Sequence, residues 1–238
     1  MMQRKVPTLA TSVVLVSIAF ALSPLMTRDF AGYRPEQFPV FQEFWPVQPA
    51  GWAFSIWGVI YVWLILGAVW GLLKAPHDVG WHNMRRPLVI SLGMGTFWIA
   101  AANASPILAT VMIFAMAVFA IAAMLGAGSD APGWQVRPVA LYAGWLTAAT
   151  GVGTGVVLGG YGVLSAQLAA LAMIIAVLVA GVAVQSRRPT EWAYPGAIIW
   201  ALVGVIAANL PARNWSVIVL SAFGIVVLAS VYVLRNRR

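Results

Sequence analysis

Residues 45–63 hold the densest group of side chains that could bind a ligand: four tryptophans, one phenylalanine and one tyrosine. The segment begins with two prolines and a glycine, which predict turns, and it continues into an uncharged helix. If the helix is continuous, steps of three and four residues place Phe54, Trp57 and Tyr61 on one face. Flat rings beside a few polar groups are typical of a pocket for a large, planar, apolar ligand.

A second aromatic stripe follows the opposite face of the same helix. Trp52, Trp63 and Trp70 are separated by eleven and seven residues, which returns each of them to one side. We expect this stripe to face lipid or a partner protein, with Trp52 and Trp70 as anchors at the two membrane interfaces.

Few other polar side chains lie within apolar stretches. We expect Asn103 and Asn209 to cap helices, and Gln167 to form a hydrogen bond across helices. Three threonines share one face of a later helix, where bonding to their own helix carbonyls is the ordinary arrangement. They are Thr147, Thr150 and Thr154.

Several kinds of chemistry are excluded by what the sequence lacks. There is no cysteine, so disulfides, thiolate metal sites and cysteine nucleophiles are ruled out. The apolar spans carry no acidic, basic or histidine residue, which argues against a proton relay or an ion-coupled pump. His77 and His82 fall in a basic connection, and we expect solvated histidines there rather than ligands of a metal or a porphyrin iron.

Composition predicts an all-α, integral membrane protein. Of the 238 residues, 62% are hydrophobic and 8% charged, whereas soluble domains carry about 25% charged residues. The net charge of +8 does not indicate a nucleic-acid partner, because the basic residues stand singly or in pairs between apolar runs. That placement is typical of loops that face anionic lipid.

Hydropathy and turn signals divide the chain into about eight transmembrane spans. An uncharged stretch from Pro87 to Met124 is too long for one span, and Ser105-Pro106 divides it, with Pro106 in the first turn of the later helix. The other predicted spans are 6–25, 52–73, 139–158, 163–184, 193–210 and 215–234. The first could instead be a cleaved signal peptide.

The basic residues predict the orientation of this bundle. With eight spans, eleven lysines and arginines fall on the side of the termini and three on the other, so both termini are predicted to be cytoplasmic. The eleven are Arg4, Lys5, Lys74, Arg85, Arg86, Arg137, Arg187, Arg188, Arg235, Arg237 and Arg238. The three are Arg28, Arg34 and Arg213.

Glycine spacing indicates close helix packing. Gly151, Gly155 and Gly159 form a doubled small-xxx-small pattern, and Gly67 and Gly71 repeat the spacing. We expect internal packing at both places, with homodimerisation as the alternative. No internal repeat is visible in the sequence, which weakens the hypothesis that the protein is an inverted-repeat transporter.

The aromatic pattern resembles a known family. A proline-containing, tryptophan-rich loop followed by Trp52-x-Phe54-x-x-Trp57-x-x-x-Tyr61 is similar to the TspO/MBR family of tryptophan-rich sensory proteins, related to the translocator protein. The likeness extends over residues 6–158, as a five-helix TspO-like domain (1–158). Residues 159–238 are three additional helices, as in a longer, eight-span bacterial branch.

Further positions strengthen the resemblance. Tyr142-Ala-Gly-Trp145, with Ala149 one turn later, is similar to a motif of the family's fifth helix, and Trp98 with Asn103 to its third helix. The resemblance implies a bacterial inner-membrane sensor, receptor or carrier that binds a porphyrin, haem-type or sterol-like ligand without a required cofactor. The implied ligand-binding residues are Trp45, Pro49, Phe54, Trp57, Tyr61, Trp98, Asn103, Tyr142, Trp145 and Ala149.

The resemblance also implies a possible activity, and the residues leave other functions open. Some family members are linked to light-dependent porphyrin breakdown, for which Trp45, Trp52, Trp57 and Trp145 are the candidates here. We expect a binding protein rather than an enzyme, with no catalytic residue and no metal. The alternatives are an accessory subunit of a larger membrane complex and an uncoupled transporter of a neutral solute.

Overall fold

The computed structural model describes residues 7–27, 33 and 35–236, and this part of the chain is helical without strands. Two short 3-10 turns, Pro35–Gln37 and Gly51–Ser55, lie in the first loop. The eight α-helices are α1 (Thr8–Met26), α2 (Ile56–Lys74), α3 (Val79–Ala104), α4 (Pro106–Gly126), α5 (Val136–Gly160), α6 (Ala166–Gln185), α7 (Ala193–Asn209) and α8 (Trp215–Asn236).

The predicted all-α membrane bundle is confirmed. Seven of these helices are long and apolar enough to cross a membrane, since a span needs about 20 apolar residues. The remaining one, α7, is also apolar but has 17 residues. The chain is therefore built for a lipid environment, in which each helix satisfies its own backbone hydrogen bonds.

Helix α5 is the centre of the bundle. It is 67% buried over its apolar window, against 22–39% for the other six helices of spanning length. On one side, α1, α2, α5, α4 and α3 close a ring in that order. On the other side, α6 and α7 pack against α5, and α8 packs against α6 and α7.

Small residues allow these close approaches. Gly151 packs against Val177 of α6, and Gly144 lies against the backbone carbonyl of Tyr194 in α7. Gly155 lies within contact distance of Val47 in the first loop. The glycine pattern of α5 therefore serves internal packing, as expected, because a β-carbon at these positions would meet a neighbouring element.

The predicted break between α3 and α4 is confirmed. Helix α3 ends at Ala104, and the Ser105 hydroxyl accepts a hydrogen bond from the Leu108 N–H at 3.3 Å. Pro106 occupies the first turn, where its missing N–H costs nothing. The local sequence is sufficient here because the cap and the proline both act within one turn.

The start of α3 corrects two predictions. The helix begins at Val79, after the Asp78 carboxylate accepts a hydrogen bond from the Trp81 N–H at 2.9 Å. His82 therefore lies in a helix and not in a loop. Arg85 and Arg86 also lie in this helix, in the turns before its uncharged stretch from Pro87, whereas the sequence placed them in the connection.

The guanidinium of Arg85 is accommodated by backbone oxygens. Arg85 is 2% exposed and donates to the carbonyls of Gly71, Ala75 and Pro76 at 2.8, 3.0 and 3.1 Å. Its charge also lies over the ring of Trp81, 5.3 Å from the centroid. Arg85 thus caps the C-terminal end of α2, where unpaired carbonyls favour a cation.

The expected outer tryptophan stripe does not form. The Trp63 N–H donates to the Gly133 carbonyl at 2.8 Å, and Trp70 stacks on Trp81 with ring centroids 5.4 Å apart. Only Trp52 is largely exposed, at 48%. It lies in a 3-10 turn of three residues per turn, which removes it from the register of α2. Trp63 and Trp70 are thus partly covered by neighbouring elements, and the accessory-subunit alternative stays a prediction.

The prediction that Gln167 bonds across helices is confirmed. Its side-chain amide pairs with Asn214 at 3.1 and 2.7 Å and donates to Ser216 at 2.7 Å. The contact joins the start of α6 to the start of α8. Asn209 does more than cap its helix, because its amide donates to the Pro46 carbonyl of the first loop at 2.8 Å.

A buried carboxylate lies in the loop between α6 and α7. Glu191 is 7% exposed, and its Oε1 accepts a hydrogen bond from the Ala193 N–H at 3.0 Å. Burial raises the pKa of Glu191 above its ordinary value of 4.5, while this hydrogen bond and the charges of Arg137 and Arg188 lower the pKa in part. The charged form is therefore held at a net cost.

Replacing Glu191 with glutamine is expected to flatten the pH dependence of stability. Because the folded pKa is raised, the stabilising contribution is complete below about pH 4.5 and is lost as the pH rises through the folded pKa. The glutamine variant stays neutral and avoids the cost of burying a charge at pH 7. Its melting temperature in detergent should therefore exceed that of the wild type, by about 2–4 °C for each kcal/mol of that cost. Exposed Glu43→Gln is the control, and equal slopes in all three proteins would refute the prediction.

Candidate functional site

A cavity of about 320 Å³ lies inside the ring of α1–α5, and we call it the main cavity. Its wall is largely aromatic and aliphatic, with residues from all five helices and from the 3-10 turn that precedes α2. They are Phe20, Ser23, Pro24, Phe54, Trp57, Tyr61, Gly95, Trp98, Ile99, Ile113, Met116, Trp145 and Ala149.

The aromatic rings of the wall are packed against one another. Trp57 and Tyr61 are stacked with centroids 5.4 Å apart, as steps of four along one helix face allow. Trp145 meets Trp57 edge-on at 6.1 Å and Phe54 at 5.8 Å. Phe20 of α1 contacts Trp57 and Tyr61 at 5.7 and 5.2 Å. The rings hold one another in place, so the cavity is largely preformed.

A smaller cavity of about 60 Å³ adjoins the main cavity, and we call it the upper cavity. The two share Phe54, Trp98, Ile113, Trp145 and Ala149. The first loop and α5 provide most of the remaining wall, and α7 adds one residue; the wall consists of Tyr33, Gln48, Pro49, Ala148, Val152, Gly153 and Ala201.

This arrangement, a five-helix ring around an aromatic cavity under a tryptophan-rich loop, agrees with the comparison to family models. Residues 42–234 match the family described as TSPO-like protein. The chain belongs to this family. Searches of curated proteins and of solved structures gave no match.

The matched range also bears on the division of the chain. It runs from the first loop to the last turns of α8, so the TSPO-like segment includes α6, α7 and α8. Helix α1 lies before it. The boundary at residue 158 and the assignment to an eight-span branch stay predictions.

Seven of the ten predicted ligand-binding residues line a cavity. Six of them line the main cavity, and Pro49 lines only the upper cavity. The six are Phe54, Trp57, Tyr61, Trp98, Trp145 and Ala149. The TSPO-like motif positions on α2, α3 and α5 thus meet at one place, although they are far apart in the chain.

Three predicted residues lie elsewhere. Trp45 is buried against Phe38, with ring centroids 5.3 Å apart, and supports the first loop. Tyr142 is fully buried behind the wall, where its hydroxyl lies 3.0 Å from the Ser91 hydroxyl. Asn103 is exposed in the last turn of α3 and lines neither cavity.

The contribution of α1 could not be read from the sequence. Phe20 fits into the ring because Gly95 on α3 leaves room for it: a β-carbon at Gly95 would lie 2.6 Å from the Phe20 ring. The only signal is a glycine in an apolar helix, which many other packing arrangements share. Since α1 closes one side of the main cavity, the cavity depends on this helix.

Polar groups around the cavities are few and mostly satisfied. The Trp98 N–H donates to the Ala109 carbonyl at 2.9 Å, and the Ser23 hydroxyl donates to the Phe20 carbonyl at 2.8 Å. The Trp145 N–H is buried and has no hydrogen-bond partner within the described chain. An unsatisfied buried donor is costly.

The upper cavity is bordered by one titratable loop side chain. Burial raises the pKa of Tyr33, and a hydrogen bond with Thr110 lowers it in part. Tyr33 therefore remains a neutral phenol at physiological pH. Within the described ranges, no group of three or more histidine, cysteine or acidic side chains is placed to hold a metal ion.

Proposed function

We propose that this TSPO-like membrane protein binds a hydrophobic, planar small molecule of the porphyrin or sterol-like kind, as a sensor, receptor or carrier. The observation that carries the proposal is the main cavity, an aromatic-walled space inside the five-helix ring. Ligand sites are typically concave, mostly apolar and preformed, with few polar groups that orient the ligand.

The aromatic wall of the cavity favours a flat molecule. Its volume of 320 Å³ lies near the lower end of the range of about 300–1,000 Å³ that ligand sites occupy. Trp57, Tyr61 and Trp145 offer ring faces and edges, which interact favourably with a π-system. A macrocycle as large as a porphyrin would also need the upper cavity, which shares five wall residues with the main cavity.

The wall supports binding rather than catalysis. None of the thirteen residues that line the main cavity is acidic, basic or a histidine. The wall therefore offers no side chain with the proton affinity of an ordinary general base at neutral pH. Ligand recognition through shape and apolar contact is the chemistry that these residues can perform.

We further propose that the first loop faces away from the cytoplasm. One end of the bundle gathers the end of α2, the start of α3 and the loops that follow α4 and α6, since Arg85 contacts Gly71 and Arg188 contacts Ala127. Among the described residues this end carries seven of the eight lysines and arginines, as positive-inside placement predicts. The seven are Lys74, Arg85, Arg86, Arg137, Arg187, Arg188 and Arg235, and the eighth is Arg213.

Titration with protoporphyrin IX is expected to quench tryptophan fluorescence of the purified protein, and removal of a cavity ring should weaken the effect. Trp57→Phe and Trp145→Phe should each weaken probe affinity by about 10-fold, because ring stacking contributes about 0.5–1.5 kcal/mol beyond area burial and the smaller ring leaves a gap.

Trp215→Phe is the matched control, since Trp215 is 61% exposed at the start of α8. It removes the same number of tryptophans without touching the cavity. If all three variants bind the probe as the wild type does, or if the wild type does not bind it, the assignment of this ligand to the main cavity is refuted.

A further inference from the structure

The first loop reaches the site through residues 45–55, which we call the roof segment. Gln48 and Pro49 line the upper cavity, and Phe54 lines both cavities. The segment has no regular structure before its 3-10 turn at Gly51–Ser55. Its position must therefore be set by contacts with other elements.

Helix α7 supplies three hydrogen bonds to this segment. The Ala50 N–H donates to the Gly204 carbonyl at 2.9 Å, and the Trp200 indole N–H donates to the Ala53 carbonyl at 2.8 Å. The Asn209 amide makes the third, to the first loop at 2.8 Å. These donors and acceptors recur about once per turn along α7, so the helix holds the segment along its length.

Packing reinforces the hydrogen bonds. The rings of Trp52 and Trp200 meet edge to face with centroids 5.1 Å apart. Ala201, one residue further along α7, lines the upper cavity, as does Pro49. Helix α7 thus contributes both to the wall of the site and to the position of the roof segment.

Gly204 allows the closest approach in this contact. A β-carbon at Gly204 would lie 2.8 Å from the β-carbons of both Pro49 and Ala53. Neither atom can rotate away, because one belongs to a proline ring and the other is fixed to the backbone. Any side chain at this position must push the roof segment away from α7.

Helix α7 is itself fixed to the centre of the bundle. Tyr194 is fully buried, and its hydroxyl lies 3.1 Å from the Thr147 hydroxyl of α5. Ala197 of α7 packs closely against Gly144 of α5. The roof segment, α7 and α5 therefore form one continuous support for the cavity wall.

We infer that α7 is a positioning element of the ligand site, with Gly204 as the residue that sets how closely the roof segment lies over the cavities. The effect on ligand affinity rests on the proposed function, whereas the effect on the roof segment does not. The helix follows residue 158 and belongs to the three helices that the sequence assigns outside the five-helix ring.

Gly204→Ala tests the inference against Gly196→Ala, a matched change in the same helix. A β-carbon at Gly196 would meet only the Trp192 ring at an ordinary 3.8 Å. Hydrogen exchange over residues 45–55 of the full-length protein, without ligand, should become at least about 10-fold faster in Gly204→Ala, as expected when hydrogen bonds to α7 are weakened. Protoporphyrin IX affinity should fall by about 10-fold or more, and Gly196→Ala should match the wild type in both measurements.

Unchanged exchange in folded Gly204→Ala overturns the inference, and so does faster exchange with unchanged probe affinity. Trp200→Phe removes the bond to the Ala53 carbonyl without adding atoms, and it replaces Gly204→Ala if that variant does not fold. Faster exchange and weaker binding in Trp200→Phe support the inference, and wild-type values overturn it. A wild type that does not bind the probe refutes the proposed function, and the exchange comparison then decides the positioning of the roof segment by itself.

Discussion

Arg85→Ala is expected to lower the melting temperature of the detergent-solubilised protein by about 6–12 °C. The change removes the donor from the Ala75 and Pro76 carbonyls just beyond α2, and it leaves the Gly71 carbonyl with the Ala75 N–H alone. An unsatisfied buried group costs about 1–3 kcal/mol, and about 3 kcal/mol in total corresponds to this shift at about 2–4 °C per kcal/mol. The loss of cation–π contact with Trp81 adds to it.

Two variants separate this capping role from a general effect of charge. Arg86→Ala removes the same charge from the next residue, which is exposed, and should leave the melting temperature within about 2 °C. Arg85→Lys keeps the charge but replaces the planar fork of donors with a compact ammonium, so it should recover only part of the loss. Equal melting temperatures for Arg85→Ala and Arg86→Ala would refute the capping role.

The same residue marks where sequence reasoning failed. Hydropathy places the end of a span at the first charged group, so Arg85 was assigned to a connection. In the structure, the chain turns back between α2 and α3. The Arg85 guanidinium therefore lies 2.8 Å from the carbonyl of Gly71, fourteen residues earlier in the chain. The local sequence predicts the helix cap at Asp78. It does not predict that three carbonyls meet Arg85, because their positions depend on how α2 and α3 pack.

In the candidate site, too, local spacing was predictable from the sequence and contacts between distant elements were not. The shared face of Trp57 and Tyr61 was predictable because it depends only on helical spacing within α2, and Phe54 joins them from the 3-10 turn before the helix. The 3-10 geometry of this turn also removes Trp52 from the opposite face, which it is predicted to share with Trp63 and Trp70. Motif resemblance located Trp145 and Ala149 on α5, but residues without a motif, such as Phe20, required the packed bundle.

The role of α7 could not be predicted from any local sequence pattern. Trp200 and Ala53 are 147 residues apart in the chain and form a hydrogen bond of 2.8 Å. Gly204 is one glycine among 22, and its spacing alone gives no reason to single it out. Its meaning comes from the two β-carbons that approach it from another element. Such a contact depends on the tertiary fold and is invisible to helical periodicity.

Ala149→Phe is expected to abolish ligand binding while leaving the protein as stable as the wild type or more so. Ala149 lines both cavities beside Phe54 and Trp145, so the added phenyl ring enters free volume rather than packed core. Filling a cavity restores contacts that its wall lacks, which favours stability. Protoporphyrin IX affinity should fall by about 100-fold or more, since the site loses both space and access to the rings.

In Ala149→Phe, ligand affinity is expected to fall while stability is kept or raised, and this combination makes the test decisive. A variant that merely misfolds loses affinity and stability together, whereas occupation of the cavity lowers affinity alone. Ala122→Phe makes the same substitution at an exposed position of α4 and should change neither quantity. Raised or unchanged stability with wild-type affinity in Ala149→Phe would place the ligand outside the main cavity, because a ring at this position blocks the space where both cavities meet.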